Sequence, residues 1–382
     1  MLITAWLVAA FRDCGPYPVL ALTGEQGSPK SSLAALLRSL VDPNTAPLRT
    51  LPRNDQDLFI AATNGHVIAI DNVSSLPPWL SDSLCRLSTG GGFGTRELYT
   101  NTDEVLLDAT RPIILTGIED MATRGDLADR SMPVRLDPIS EECRRPEREI
   151  SAEFESARPR ILGVLLNAIS HGLRHLAMTR LDRLPRMADF AVWATACEGT
   201  LWKPGVFLDA YRKNRADMDE TVIEADLVAT AVRTLMADCS TWTGTAKELL
   251  QKLVSIAGEP AAKMKSWPKT PRALSGRLRR AAPNLRRIGI SIVFEERQAE
   301  GRPITITAER GDIRPSRPSS PSSAQMNAGL EDDGRMTGDA ATVIDTVTQN
   351  AAESAADDGS DGDDGRKHPF SGSDQETAEW TL

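Results

Sequence analysis

The residues with the clearest chemical capacity lie near the amino terminus. Gly24-Glu25-Gln26-Gly27-Ser28-Pro29-Lys30-Ser31-Ser32 follows the spacing of a phosphate-binding loop, GxxxxGK[ST]. The apolar run Val19–Leu22 precedes it, and an amphipathic helical pattern, Ser32–Leu40, follows. Backbone N–H groups of a loop that enters a helix bind phosphate oxygens. In this pattern Lys30 meets the β- and γ-phosphates of a nucleotide and Ser31 ligates the metal, so the expected cofactors are ATP and Mg²⁺. Pro29 stands where the pattern has glycine. Proline holds φ at about −65° and has no N–H. One donor is lost to the loop, and a conformation open only to glycine is forbidden there. The competing reading is a tight strand–helix turn that holds no ligand.

Downstream, Val67-Ile68-Ala69-Ile70 ends in Asp71-Asn72. An apolar strand ending in an acid is the Walker B pattern, with Asp71 the second expected Mg²⁺ ligand, direct or through water. Asn72 holds the place of a water-orienting glutamate; its amide positions water but takes no proton. A third buried run, Ile113-Ile114-Leu115, ends in Thr116, whose hydroxyl is a candidate sensor of the γ-phosphate. Arg124 and Arg130 precede the last apolar run. Arg130 is the first candidate, and Arg124 the second, for an arginine that reaches a phosphate bound by a neighbouring subunit. Each has a plainer reading: Thr116 as an ordinary strand residue, the arginines as surface partners of Asp126 or Asp129. Ser88–Arg96 is glycine-rich but joins no strand to a helix. It reads as a flexible loop in which Phe93 and Arg96 are candidates for contact with nucleic acid by stacking and charge.

These residues need elements to hold them. Apolar runs without alternation at Val19–Leu22, Leu48–Leu51, Val67–Ile70, Ile113–Thr116 and Met132–Leu136 suit a parallel sheet covered on both faces. They place a nucleotide-binding α/β core at 1–139. Residues 140–240 read as a helical subdomain or lid, with Ile161, Leu162, Leu165, Leu166 and Ile169 at helical spacing and further helices at Asp189–Glu198 and Thr221–Met236. Residues 241–310 read as helix (Ala246–Ile256), helix (Pro271–Ala282) and hairpin (Ile288–Phe294, Pro303–Thr307), a winged-helix-like unit. Residues 311–382 are Ser/Pro-rich, then acidic, and read as disordered. The expected fold class is therefore α/β: a P-loop, AAA+-like parallel sheet with a helical lid, a winged-helix-like domain and a tail.

Charge follows the same division. The chain's net charge is −9, but residues 311–382 hold 15 acidic and 5 basic side chains, and 1–310 hold 38 and 39. From Lys263 to Arg287 nine Lys/Arg occur with no acid. A basic helix in a winged-helix pattern fits a DNA groove or its phosphates. Lys269, Arg272, Arg277, Arg279 and Arg280 are the candidates, with Arg277 and Arg280 favoured for base edges. The alternative is a solvated basic face, or a dock for the chain's own acidic tail.

Other classes are disfavoured. Apolar residues make up 41% and charged residues 25%, near the globular average. Five cysteines without C-x-x-C spacing argue against a zinc ribbon or a disulfide framework, and fit reduced thiols in the cytoplasm. No apolar run has the ~20 residues of a membrane span. The opening MLITAWLVAAF lacks a basic leader and reads as a core helix. His171 and His175 are four apart, but Gly172 stands where the H-E-x-x-H zinc motif needs glutamate, so they read as helix surface. Trp193, Trp202 and Trp242 read as core or subdomain contacts.

The order of these motifs resembles the helicase domain of superfamily-3-type and poxvirus-type primase-helicases, from about Tyr17 to Ile139. LCRLSTGGGFGTRELYT, beginning at Leu84, looks like that family's lTGGD…R.LY segment. The chain also resembles ATP-binding proteins of actinobacterial phages and integrated elements, in which such a core precedes a segment like WPKTPRALSGRLRR, here Trp267–Arg280. This second likeness covers most of 1–310. The resemblance implies an oligomeric ring ATPase acting on DNA in mobile-element replication, and a form shortened at its amino end. Pro29, Asn72 and Thr116 depart from the pattern where nucleotide chemistry occurs. The alternatives are a catalytically degenerate ATP fold that serves as scaffold for a DNA-binding initiator or regulator, and an ATP-dependent loader whose acidic tail binds a protein partner.

Overall fold

The computed structural model describes residues 1–96, 104–107, 109–118, 121, 124–296 and 302–309. The expected tail at 311–382 lies outside them. In chain order the elements of the amino-terminal part are α1 (Leu2–Ala10), β1 (Val19–Thr23), α2 (Lys30–Val41), α3 (Asp55–Thr63), β2 (Ile68–Ile70), α4 (Pro78–Thr89), β3 (Phe93–Arg96), β4 (Glu104–Leu107), β5 (Ile113–Gly117), α5 (Gly125–Ala128) and β6 (Ser131–Arg135). Then follow α6 (Glu147–His175), α7 (Ala188–Cys197), α8 (Val206–Ala225), α9 (Leu227–Asp238), β7 (Thr241–Thr245), α10 (Ala246–Lys263), α11 (Pro271–Arg287), β8 (Ile290–Phe294) and β9 (Pro303–Ala308).

Four strands form a parallel sheet in the order β2-β5-β1-β6. Side chains alternate between its faces. Leu20, Leu22, Ala69, Ile114 and Met132 enter a core shared with α1, α2, α6 and α7. Val19, Ala21, Ile68, Ile70 and Leu115 enter the opposite core with α3 and α4. Both faces are covered, which is why the strand sequences are apolar throughout. The apolar opening segment is α1, buried from Thr4 to Ala10. Its Trp6 Nε1 donates to Pro18 O (2.9 Å), and Trp193 Nε1 donates to Val8 O (3.0 Å). Among the described residues no helix is long and apolar enough to cross a membrane.

Four local readings change. Leu48–Leu51 is not a strand: only Arg49 bridges, to Ile70. Pro47 and Pro52 flank it, and proline cannot donate to a ladder. Thr221–Met236 is not one helix. Asp226 takes an extended conformation and caps α9 by accepting from Val228 and Ala229 N–H. Residues 93–96 are not loose loop; they pair antiparallel with 104–107. β7 is an added strand, and the carboxyl-terminal sheet runs β7-β9-β8, antiparallel.

The helical stretch 140–240 divides by packing. Ile161, Leu165, Phe190 and Tyr211 lie in the core of the parallel sheet. The apolar face of α9 lies with α10, α11, β8 and β9. Helix starts in the latter unit are locally encoded: Thr245 and Glu248 form a reciprocal capping box on α10, and Thr270 caps α11, each satisfying N–H groups that a first turn leaves without acceptors. α10 breaks at Gly258, where φ is 79°.

Candidate functional site

The loop 24–29 joins β1 to α2. Gly24 is required by packing: a Cβ there would lie 2.4 Å from Leu136 O and 2.5 Å from Ser28 Oγ. Gly27 has φ of +84°, a region that side chains disfavour. Pro29 takes φ −86° and ψ 33° and caps α2. The backbone turn therefore asks glycine of position 27 and tolerates proline at 29; the missing N–H is the remaining consequence of Pro29.

Lys30 is 8% exposed and curls over this loop. Its Nζ donates to Gly24 O (3.1 Å), Glu25 O (2.7 Å) and Ser28 Oγ (2.8 Å). Burial pulls its ammonium below the ordinary lysine pKa, and the Asp71 carboxylate acts in the opposite sense. Gln26 and Ser32 flank the same turn, and the first N–H groups of α2 point out of the helix without intrahelical acceptors.

The first turn of α2 supplies Ser31, and the carboxyl ends of β2 and β5 supply the remaining groups. Ser31 Oγ donates to Asp71 Oδ1 at 2.7 Å. Thr116 Oγ1, at the end of β5, donates to the same oxygen. Asn72 N–H donates back to Thr116 Oγ1 at 3.0 Å, and Val73 N–H donates to Thr116 O at 2.8 Å. Asn72 has φ of 54° and is the one non-glycine residue with positive φ among those described; asparagine tolerates that conformation better than most residues. Gly117 closes the arrangement, since a Cβ there would lie 2.4 Å from Val73 O. Lys30, Ser31, Asp71, Asn72 and Thr116 are thus brought together. The hydroxyl and carboxylate oxygens of Ser31 and Asp71 are hard ligands of the kind Mg²⁺ prefers.

The arginines are placed differently. Val19 N–H donates to Arg130 O at 2.8 Å, so Arg130 sits at the amino end of the sheet. One strand length, roughly 16 Å, separates it from the loop of its own chain. Arg124 is engaged by Pro78 O (2.7 Å) and Asp82 (3.2 Å). The arginine beside the loop is one that sequence reasoning missed. Arg135 pairs in register with Thr23, and its guanidinium lies 3.9 Å from Glu25. Only the β1–β6 register reveals it.

A second concave site lies in the carboxyl-terminal unit. The amino ends of α10 and α11 meet the β8–β9 hairpin around a groove of about 990 Å³ lined by Lys247, Arg272, Arg279, Arg302, Phe294 and Glu296. The Arg279 guanidinium lies 4.6 Å from the centre of the Phe294 ring. Arg280 is exposed, and Lys269 Nζ donates to Ala262 O. Arg277 departs from the expectation of a base contact. It turns to Asp226, at 3.1 and 3.3 Å, because the acid that caps α9 faces that side of α11. Lys247 and Arg302 were missed because they lie outside the basic run. Phe93 and Arg96 have backbone in β3; their side chains lie outside the described ones. His171 and His175 stack on α6 with ring centres 3.9 Å apart.

Fold and site together define a mixed α/β protein: a parallel sheet whose carboxyl edge gathers a lysine-bearing loop and an acid, followed by an antiparallel unit with a basic groove. Residues 1–221 match the family model for the actinomycete integrative conjugative element replication protein, and residues 228–322 match the AICE RepA C-terminal domain. The chain belongs to the actinomycete integrative conjugative element replication protein family, and its role is in replication. No curated protein matches it.

Proposed function

We propose that this replication protein is a DNA-directed, helicase-like ATPase with a P-loop site of the AAA+ kind. The observation that carries the reading is the meeting of Ser31, Asp71 and Thr116 beside Lys30 at the carboxyl ends of adjacent parallel strands, where open α/β sheets bind ligands. In this reading the loop backbone and Lys30 hold the β- and γ-phosphates of ATP. Ser31 and Asp71 hold Mg²⁺, whose charge offsets that developing on the phosphates. Thr116 uses its hydroxyl to orient Asp71, a positioning role instead of direct γ-phosphate sensing. Asn72 orients water without taking its proton. Arg130, distant from its own loop, serves a neighbouring subunit of an oligomer, possible only if subunits form a ring or stack.

DNA is assigned to the groove of Lys247, Arg272, Arg279 and Arg302, with Lys269 and Arg280 on its flank. The element order α9-β7-α10-α11-β8-β9 and the sheet order β7-β9-β8 support reading this unit as a winged helix. Phosphate contacts by such residues give affinity with strong salt dependence.

The test is ATP turnover with and without single-stranded DNA, with Lys30→Ala as background. DNA-stimulated turnover that Lys30→Ala abolishes is the expected result. Turnover no higher than that of the variant overturns the reading and favours a degenerate ATP fold used as a scaffold for DNA binding. The specific observations behind that second reading are Pro29, which has no N–H for a phosphate, and Asn72, which is no base.

A further inference from the structure

Asp129 is gripped by two guanidinium groups from different parts of the chain. Arg287, the last residue of α11, donates to both carboxylate oxygens, at 2.5 and 2.9 Å. Arg215 of α8 donates to Oδ1 at 3.3 Å. Asp219 accepts from Arg287 at 2.7 Å and lies 3.7 Å from Arg215. Two acids and two arginines thus alternate. Three of the four side chains are less than one-fifth exposed, and Arg287 is 35% exposed. Two-point pairing of this kind fixes geometry as well as distance.

The same grip brackets Arg130. Arg215 Nη1 also donates to the carbonyl oxygens of Ala128 (2.5 Å) and Ser131 (3.2 Å). The backbone on both sides of Arg130 is therefore held by α8, and the residue before it is held by α11. α11 touches this segment again upstream, where a Cβ on Gly125 would lie 3.4 Å from Asn284 Nδ2. The helix that carries Arg272 and Arg279 into the basic groove thus ends against the segment that carries Arg130. α11 runs continuously for 17 residues, with Pro283 inside it, over roughly 25 Å, and packed secondary elements with their salt-bridge networks carry coupling between sites.

We infer that Asp129 is a positioning residue through which occupation of the α11 groove by DNA sets the placement of Arg130. The inference rests on the proposed reading of the groove and of Arg130. Arg287 acts in it as a strut and not as a DNA contact, because both of its acidic partners are intramolecular.

The experiment compares the full chain with Arg287→Ala and Arg287→Lys. In Arg287→Ala, DNA affinity, ATP affinity and basal turnover stay within about twofold of the parent, while stimulation by DNA falls about fivefold or more, the usual lower range of a coupling between sites. Arg287→Lys keeps the charge without the two-point fork and restores part of the stimulation. Hydrogen exchange gives a readout that needs no turnover: amides of 124–131 respond to DNA in the parent and not in Arg287→Ala. Full stimulation in Arg287→Ala, or an exchange response to DNA that persists in it, overturns the inference. Joint loss of basal turnover and thermal stability in that variant also overturns it, because the network would then only fasten the fold. If the parent itself hydrolyses no ATP, the proposed ATPase falls, and the exchange comparison alone decides whether groove and Arg130 segment are tied.

Discussion

The Ser31 hydroxyl donates to Oδ1 of Asp71 across 2.7 Å, fastening the first turn of α2 to the end of β2 over a separation of 40 positions. Thr116 donates to the same oxygen, so one carboxylate is oriented by hydroxyls from two neighbouring elements. Thr116→Val keeps the side-chain shape, removes this donor and deprives Asn72 N–H of its acceptor. We expect a loss of about 1–3 kcal/mol in unfolding free energy, read from urea midpoints, together with slower ATP turnover. Unchanged midpoint and turnover would show that Asp71 is oriented without Thr116.

Lys30 makes three hydrogen bonds to loop oxygens, and in the proposed site it exchanges these for phosphate. Bonds to a charged group contribute about 1.5–3 kcal/mol. Titration calorimetry on Lys30→Ala should therefore give ATP affinity lower by about tenfold to a hundredfold, with DNA affinity unchanged. Equal ATP affinity in the two proteins would leave the loop a structural turn.

In the basic groove, side chains free to meet phosphate differ from those already paired. Arg272→Ala and Lys247→Ala should each lower the log–log salt slope of DNA binding by about 1, measured by fluorescence anisotropy over a series of KCl concentrations. Arg277, held by Asp226, should leave the slope unchanged when replaced by alanine and lower stability by up to about 1 kcal/mol. A slope change in Arg277→Ala equal to that of Arg272→Ala would contradict this division.

Arg38 is fully buried. Its guanidinium serves Ala46 O (3.1 Å), Pro47 O (2.7 Å) and the Asp42 carboxylate (3.3 Å). Asp42 in turn accepts Val67 N–H at 3.0 Å, just before β2. Removing one member of a buried pair leaves the other uncompensated, so Arg38→Ala should cost about 3–5 kcal/mol. Denaturant unfolding would reveal it; a cost under about 1 kcal/mol, that of an exposed pair, would refute the argument.

Alkaline pH acts on buried groups that the site does not use. Burial pushes the Cys197 thiol from 9.0 up to about 12, and the Tyr17 and Tyr211 phenols from 10.0 up to about 12. Above about pH 9 the unfolded chain releases protons that the folded chain keeps. Stability therefore falls as pH rises from about 9 to about 12, by about 3 kcal/mol at most for each tyrosine. Urea unfolding across that window should show the decline, and Tyr17→Phe should flatten it. A level profile would show that these groups ionise equally in both states.

Much of the architecture is written locally. Apolar strands without alternation foretell a sheet covered on both faces. Thr245 with Glu248, and Thr270 ahead of Pro271, mark helix starts through bonds a few residues long. The loop Gly24–Ser32 is legible because its glycines, lysine and hydroxyl stand at a fixed spacing between a strand and a helix. Leu48–Leu51 misleads because its composition suits a strand while its flanking prolines limit pairing to one bridge. Thr241–Thr245 carries no strand signal of its own, because β7 is defined by its partner β9.

Tertiary structure alone decided which distant groups meet. The register of parallel β1 with β6 sends Arg130 to the end of the sheet away from the loop and brings Arg135 beside it. The side of α11 facing Asp226 withdraws Arg277 from the groove, and its carboxyl end delivers Arg287 to Asp129. Periodicity and capping act over one or two helical turns, so they are determined by the sequence itself. Pairings across 40 to 158 positions depend on how finished elements pack, and no local pattern of residues encodes that.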